Sequence, residues 1–132
     1  MEFDQLILIL NEVNNSEIDE FLKQTSKHQV KTYFFLKDEK QVKKLQDAND
    51  NENVEFSTHF SLAETEKKLI EQFKILPDRS VLISDEPKNI AHFRKVGLAN
   101  LTGLGNDHTT FYQNLADDCA KDLSAIDIAQ LN

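Results

Sequence analysis

Residues 80–98 constrain the fold of this chain more than any other segment. An apolar run, VLIS at 81–84, ends abruptly in the polar residues Asp85 and Glu86. Pro87 suits the first turn of a helix, where its missing N–H costs nothing, and Gly97 suits the left-handed position that ends one. The segment 98–102 (LANLT) then predicts a further strand. A strand, a helix and a strand with short connections are typical of α/β folds.

The same alternation runs along the rest of the chain. The run LILIL at 6–10 is apolar on both faces, as expected for a central strand covered on both sides. Other strands are predicted at 30–36, 54–56, 81–84 and 98–102. Helices are predicted to begin at Ser16 (with Asp19 as its capping-box partner), Asp38, Ser61 and Pro87.

For the tail, the pattern predicts a helix over 109–119 and a short terminal helix over 124–131. Five strands separated by helices predict a doubly wound, Rossmann-like parallel sheet with helices on both faces, in three α/β/α layers.

Composition limits the partners and the compartment. A length of 132 residues predicts one domain, spanning 1–132, that can bury a core without disulfides. The net charge of −8 argues against nucleic acid and anionic membrane surfaces as partners. Cys119 is the one cysteine and cannot form an internal disulfide, and the longest strongly apolar run is too short to span a membrane. We therefore expect a soluble, cytoplasmic protein.

A ligand site is predicted at one edge of the sheet. In an open parallel sheet, ligands bind beyond the carboxyl ends of the strands, where the strand order reverses. Four groups of residues follow the first four predicted strands: Asn11, Glu12 and Val13; Leu36, Lys37 and Asp38; Ser57, Thr58 and His59; Ser84, Asp85 and Glu86.

In sequence and spacing, residues 80–98 resemble the fourth motif of the haloacid dehalogenase-like (HAD) superfamily, in which an acidic strand tip holds magnesium. FFLK at 34–37 resembles the second strand of that family. Residues 116–124 are similar to a tail in which a short strand precedes the last helix, which would place Cys119 on a strand. The resemblance implies a HAD-like fold, with Asp85 as the remaining magnesium ligand and Asn89 as a packing or capping residue.

The residues that the resemblance would make catalytic are missing. Asn11 and Val13 stand where the family has its nucleophilic aspartate and its acid–base aspartate, and an amide or a valine performs neither role. Leu36 and Lys37 replace the Ser or Thr of the second motif, and His59 or Phe60 falls at the family's lysine. We therefore expect no phosphatase activity by the family mechanism and no cofactor, with weak magnesium binding at Asp85 as the exception.

Two functions remain open. The first is an inactive, capless HAD-like domain that acts as a binding or regulatory module, with a protein partner or by self-association. The alternative is a divergent, magnesium-dependent phosphohydrolase or phosphotransferase, for which Glu12, Lys37 and Asp85 must converge. The candidate crevice comprises Asn11, Glu12, Val13, Lys37, Asp38, Ser84, Asp85 and Asn89.

Several of these residues also have structural interpretations. Asp85 and Asp38 are each placed to cap a following helix, and caps are commoner than metal sites. Lys37 is either an exposed lysine or an internal counter-ion for Glu12 and Asp85. The segment 103–105 (GLG) predicts a flexible turn, because it lacks the other residues of a phosphate loop.

A phospho-receiver domain has a similar size and strand alternation. It needs an aspartate after the third strand and a lysine after the fifth, where this chain has His59 and Gly103. That class is therefore excluded by chemistry.

Overall fold

The computed structural model describes residues 3–131, and six parallel strands form one sheet in the order β3-β2-β1-β4-β5-β6. The strands are β1 (Gln5–Leu10), β2 (Lys31–Leu36), β3 (Val54–Thr58), β4 (Ser80–Ser84), β5 (Asn100–Leu104) and β6 (Asp118–Ala120). The helices are α1 (Asn15–His28), α2 (Glu39–Ala48), α3 (Leu62–Lys67), α4 (Pro87–Val96) and α5 (His108–Gln113). A π-helical turn, Lys68–Gln72, continues α3, and 3₁₀ turns lie at Pro77–Arg79, Leu123–Ala125 and Ile128–Gln130.

The strand order confirms the predicted doubly wound, Rossmann-like fold. The chain runs outward from β1 to β3, then crosses back so that β4 pairs with the other side of β1. Leu10 pairs with Leu36 of β2, and Ile9 pairs with Ser84 of β4. The order therefore reverses between β1 and β4, which is where such folds bind ligands.

Two hydrophobic clusters cover the two faces of the sheet. Alternate residues of β1 belong to different clusters, with Leu8 on one face and Ile9 on the other. The first cluster includes Ile18 and Phe21 of α1, and the second includes Phe93 of α4. Both faces of β1 are buried, which explains why its run of apolar residues is unbroken.

The tail differs from the predicted helix over 109–119. The helix α5 ends at Gln113, and Leu115 takes a left-handed backbone conformation with φ 73°. The chain then forms β6, in which Cys119 pairs with Gly103, so the sheet has six strands rather than five. A three-residue strand shows no side-chain period, which is why periodicity did not indicate it.

The predicted terminal helix over 124–131 is also wrong, because two 3₁₀ turns take its place. Gln24 of α1 fixes this segment. Its Nε2 donates to the carbonyl of Ile126 at 3.0 Å, and its Oε1 accepts from the N–H of Ile128 at 2.6 Å. The tail thereby buries Ile126, Ile128 and Leu131 in the cluster that α1 helps to form.

Helix caps agree with the predictions at α2 and α3 and differ at α1. Asp38 caps α2 by accepting from the N–H of Lys40 at 2.9 Å, and Ser61 caps α3. The first helix begins earlier than predicted, because Asn14 rather than Ser16 is its N-cap. The Asn14 side chain accepts from the N–H of Glu17, whose carboxylate accepts from the N–H of Asn14 in return.

Gly103 and Leu104 lie in β5, so the predicted flexible turn at 103–105 is wrong for both. A Cβ atom at Gly103 would lie 2.3 Å from Cγ of Phe111. Glycine is required there because α5 packs directly against the backbone of β5.

No helix within residues 3–131 combines the length and the apolar character needed to cross a membrane.

Candidate functional site

The segment after β1 lines two adjoining cavities at the carboxyl edge of the sheet, which we call the crevice. Asn11, Glu12, Val13 and Asp38 line an open cavity of about 500 Å³. Glu12 and Val13 also line a smaller one of about 120 Å³, whose other wall includes Asp85. The structure thus brings together five of the eight predicted site residues.

Asp85 holds this segment in place. The backbone N–H of Asn11 donates to both carboxylate oxygens of Asp85, at 3.0 and 2.9 Å, and the N–H of Glu12 donates to Oδ2 at 3.2 Å. The predicted capping role for Asp85 is therefore wrong. The N-cap of α4 is Glu86, which makes no side-chain cap, and the side chain of Asp85 reaches instead to the neighbouring strand β1.

A second anchor holds the segment from the opposite side. Gln41 of α2 donates its Nε2 to the carbonyl of Val13 at 2.8 Å, and to Oδ1 of Asn15 at 3.0 Å. The side chain of Val13 packs against the hydrophobic cluster on the α1 face. The backbone of residues 11–13 is therefore fixed at both ends, by Asp85 and by Gln41.

The electrostatic environment of Asp85 is unfavourable to its charge. Burial raises the pKa of Asp85 above its ordinary value of 3.8, against the hydrogen bonds from Asn11 and Glu12, which lower it. The neighbouring negative charge of Glu86 raises the pKa further. Desolvation outweighs the hydrogen bonds, so the ionised form of Asp85 is disfavoured relative to water.

Ser84 and Asn89 do not line the two cavities of the crevice, and both residues are buried. Asn89 donates its Nδ2 to Oγ of Ser84 at 2.9 Å, and Ser84 also accepts from the N–H of Glu86 at 3.2 Å. These bonds tie the end of β4 to the first turn of α4. They give Asn89 the packing role that the resemblance implied.

Lys37 does not join the two acidic residues that the alternative function requires. It is exposed, and within residues 3–131 no ion pair connects it to Glu12 or Asp85. Its charge acts on His59 instead, where burial is the main cause that lowers the pKa and Lys37 lowers it further.

His59, which directly follows β3, is buried at this edge of the sheet. Its Nδ1 is 2.7 Å from Oγ1 of Thr65, so β3 is linked to α3. The backbone N–H of His59 donates to the carbonyl of Leu36 at 2.8 Å, which extends the pairing of β3 with β2. The sequence signal for its burial is its position shortly after the strand predicted at 54–56.

The oxygen ligands available at this site do not fit a magnesium ion. Mg²⁺ needs near-octahedral oxygen coordination, yet both oxygens of Asp85 accept hydrogen bonds from the backbone. Within the described residues, no three His, Cys, Asp or Glu side chains are grouped so that they could hold a metal ion.

Neither a protein-family model nor a curated protein matches this sequence. Among solved structures, the chain is similar to the NMR structure of the core domain of a "putative phosphoglycolate phosphatase" from Streptococcus pneumoniae TIGR4, a HAD-family domain. The TM-score is 0.56 at 15% identity, and the match covers 78% of this chain and 80% of that chain. The fold is thus a Rossmann-like α/β sheet similar to that of a HAD core domain, and a likeness at this identity concerns the fold alone.

Proposed function

We propose that this chain is a catalytically inactive, capless HAD-like domain that acts as a binding or regulatory module for a protein partner. The observation that carries the proposal is the position of Asp85. The one carboxylate retained from the family's metal motif binds the backbone of Asn11 and Glu12, so it serves the structure of the crevice.

The chemistry of the crevice supports inactivity. A phosphatase of this type needs a carboxylate at the tip of β1 that is both nucleophile and metal ligand. Asn11 offers an amide at that tip, and Val13 has a partly buried apolar side chain where an acid–base group would stand. Loss of a nucleophile alone typically lowers the rate by several orders of magnitude.

The connections of the sheet support the capless assignment. Residues 11–14 join β1 to the first turn of α1, and residues 59–61 join β3 to α3. Neither connection can contain a folded insertion. The crevice is therefore open to a partner of any size, in keeping with a protein rather than an enclosed small molecule.

The fixed backbone at 11–13 supports a binding role. A surface whose main chain is already held by Asp85 and Gln41 loses little conformational entropy when a partner docks. Acidic side chains surround it, namely Glu12, Glu17, Asp38, Asp85 and Asp122, with Lys121 as the nearby cation. A partner segment with basic side chains fits this charge. A reducing cytosol, as Cys119 suggests, is the compartment in which we propose that it acts.

The proposal is tested by a thermal-shift screen with magnesium, inorganic phosphate and nucleotides. A ligand that binds only the folded state must raise the melting temperature. We expect no shift with the native chain and a magnesium-dependent shift with the Asn11→Asp, Val13→Asp double variant. Magnesium-dependent hydrolysis of an aryl phosphate that Asp85→Ala abolishes would refute catalytic inactivity.

A further inference from the structure

The strand β3 forms one edge of the sheet, so its outward main-chain groups have no neighbouring strand. The N–H of Thr32 donates to the carbonyl of Asn53, and the N–H of His59 donates to the carbonyl of Leu36. Since main-chain groups alternate along a strand, the odd-numbered residues of β3 face β2, and Val54, Phe56 and Thr58 face outward.

Two side-chain amides of the α2 region occupy this outward edge, and we call Gln46 and Asn49 the edge amides. Gln46 donates its Nε2 to the carbonyl of Phe56 at 2.7 Å. Asn49 donates its Nδ2 to the carbonyl of Val54 at 2.8 Å. The edge amides therefore satisfy successive outward carbonyls, which are the acceptors that an added strand would use.

An added strand of a second copy would have a favourable register. Antiparallel pairing of two β3 strands about Phe56 would place Phe56 opposite its counterpart and Val54 opposite Thr58. The same register sets Glu55 opposite Ser57, so like charges do not lie directly across the pair. Space is also present, because an open cavity of about 630 Å³ runs along β3 between the edge amides and Gln72.

We infer that the edge amides close the outer edge of β3 against pairing with a second copy of this chain. Natural sheets block exposed edges because unpaired N–H and carbonyl groups act as templates for association. In this chain the edge amides, which lie near the end of α2, occupy the carbonyls of Val54 and Phe56. The outward N–H of Val54 is occupied as well, because it donates to the carbonyl of Asn51 at 3.1 Å. The inference does not depend on the proposed function of the crevice, and it directs partner binding away from this edge.

The test is the Gln46→Ala, Asn49→Ala double variant, compared with the native chain by sedimentation velocity at increasing protein concentration. We expect the double variant to gain a reversible association that doubles its mass. The matched control, Gln72→Ala, removes an amide from the opposite wall of the same cavity and leaves the association state of the native chain unchanged.

A proline substitution distinguishes pairing at the β3 edge from non-specific aggregation. Adding Thr58→Pro to the double variant removes an outward N–H without breaking the ladder to β2, so it must return the protein to the native mass. A folded double variant with unchanged mass, or an association that Thr58→Pro does not reverse, would overturn the inference. Should the alanine variant fail to fold, Gln46→Met with Asn49→Ala keeps the length of the Gln46 side chain without its N–H donor and gives the same two outcomes.

Discussion

Replacement of Asp85 by alanine tests whether this carboxylate anchors the crevice. The variant removes the acceptor for the N–H groups of Asn11 and Glu12. Loss of a partner for a half-buried donor such as the N–H of Asn11 costs about 1–3 kcal/mol, whereas the N–H of Glu12 is exposed and water can replace the bond. Removing a desolvated charge offsets part of the cost, so we expect a net loss of about 1–2 kcal/mol in the free energy of unfolding.

Urea denaturation at neutral pH measures this loss, and thermal unfolding gives a second value. At roughly 3–5 °C per kcal/mol for a domain of this size, the melting temperature is expected to fall by about 3–10 °C. The matched control is Asp47→Ala, which removes an exposed carboxylate of α2 and is expected to change stability by less than about 0.5 kcal/mol.

The same variants distinguish an anchor from a metal ligand. If Asp85 is an anchor, Asp85→Ala should lower the free energy of unfolding by the same amount with and without magnesium. If Asp85 is a metal ligand, magnesium should stabilise the native chain, and Asp85→Ala should abolish this stabilisation. An Asp85→Ala protein as stable as the Asp47→Ala control would refute the anchoring argument.

Three further predictions concern other parts of the fold. In the folded protein the pKa of His59 lies below its ordinary value of 6.5, so this imidazole binds a proton more readily in the unfolded chain. Stability should therefore fall as pH drops from 6.5 towards the folded-state pKa, and urea titrations across this range should show a smaller fall in His59→Gln. Gln24→Ala should cost about 1–3 kcal/mol and speed amide exchange at 126–131, whereas the neighbouring exposed Lys23→Ala should do neither. Gly103→Ala should cost about 3 kcal/mol in thermal unfolding because of the contact with Phe111, whereas Gly97→Ala, which meets open space at φ 95°, should cost about 1 kcal/mol.

The parts of the fold that local patterns specify were predictable from the sequence. The run at 6–10 is apolar on both faces because β1 lies at the centre of the sheet, and this burial is encoded without reference to distant residues. The turn from β4 into α4 was equally clear, since Pro87 and Gly97 act through their own backbone preferences. The alternation of strands and helices predicted the doubly wound class of sheet, but it did not specify the order of the strands.

The features that were missed depend on tertiary contacts. Asp85 looked like a helix cap because Pro87 follows it, yet its side chain bonds to residues 74 and 73 positions away in sequence. Hydrophobic periodicity did not indicate β6, because this strand has three residues and is defined by its pairing with β5. The resemblance at 116–124 did place Cys119 on a strand. Three predicted site residues do not line the crevice. Lys37 and Ser84 were assigned to it by their distance from a strand end and Asn89 by the family resemblance, and neither criterion determines where a side chain points.

The docking of the tail on α1 has a consequence for the order in which the protein folds during synthesis. A ribosome releases β1 and α1 first, but Ile126, Ile128 and Leu131, which complete the same cluster, emerge only after every strand. Nascent chains that lack these residues must leave apolar side chains of α1, such as Phe21, without their final cover. Chaperone binding to ribosome-bound chains should therefore persist until the segment after β6 has emerged.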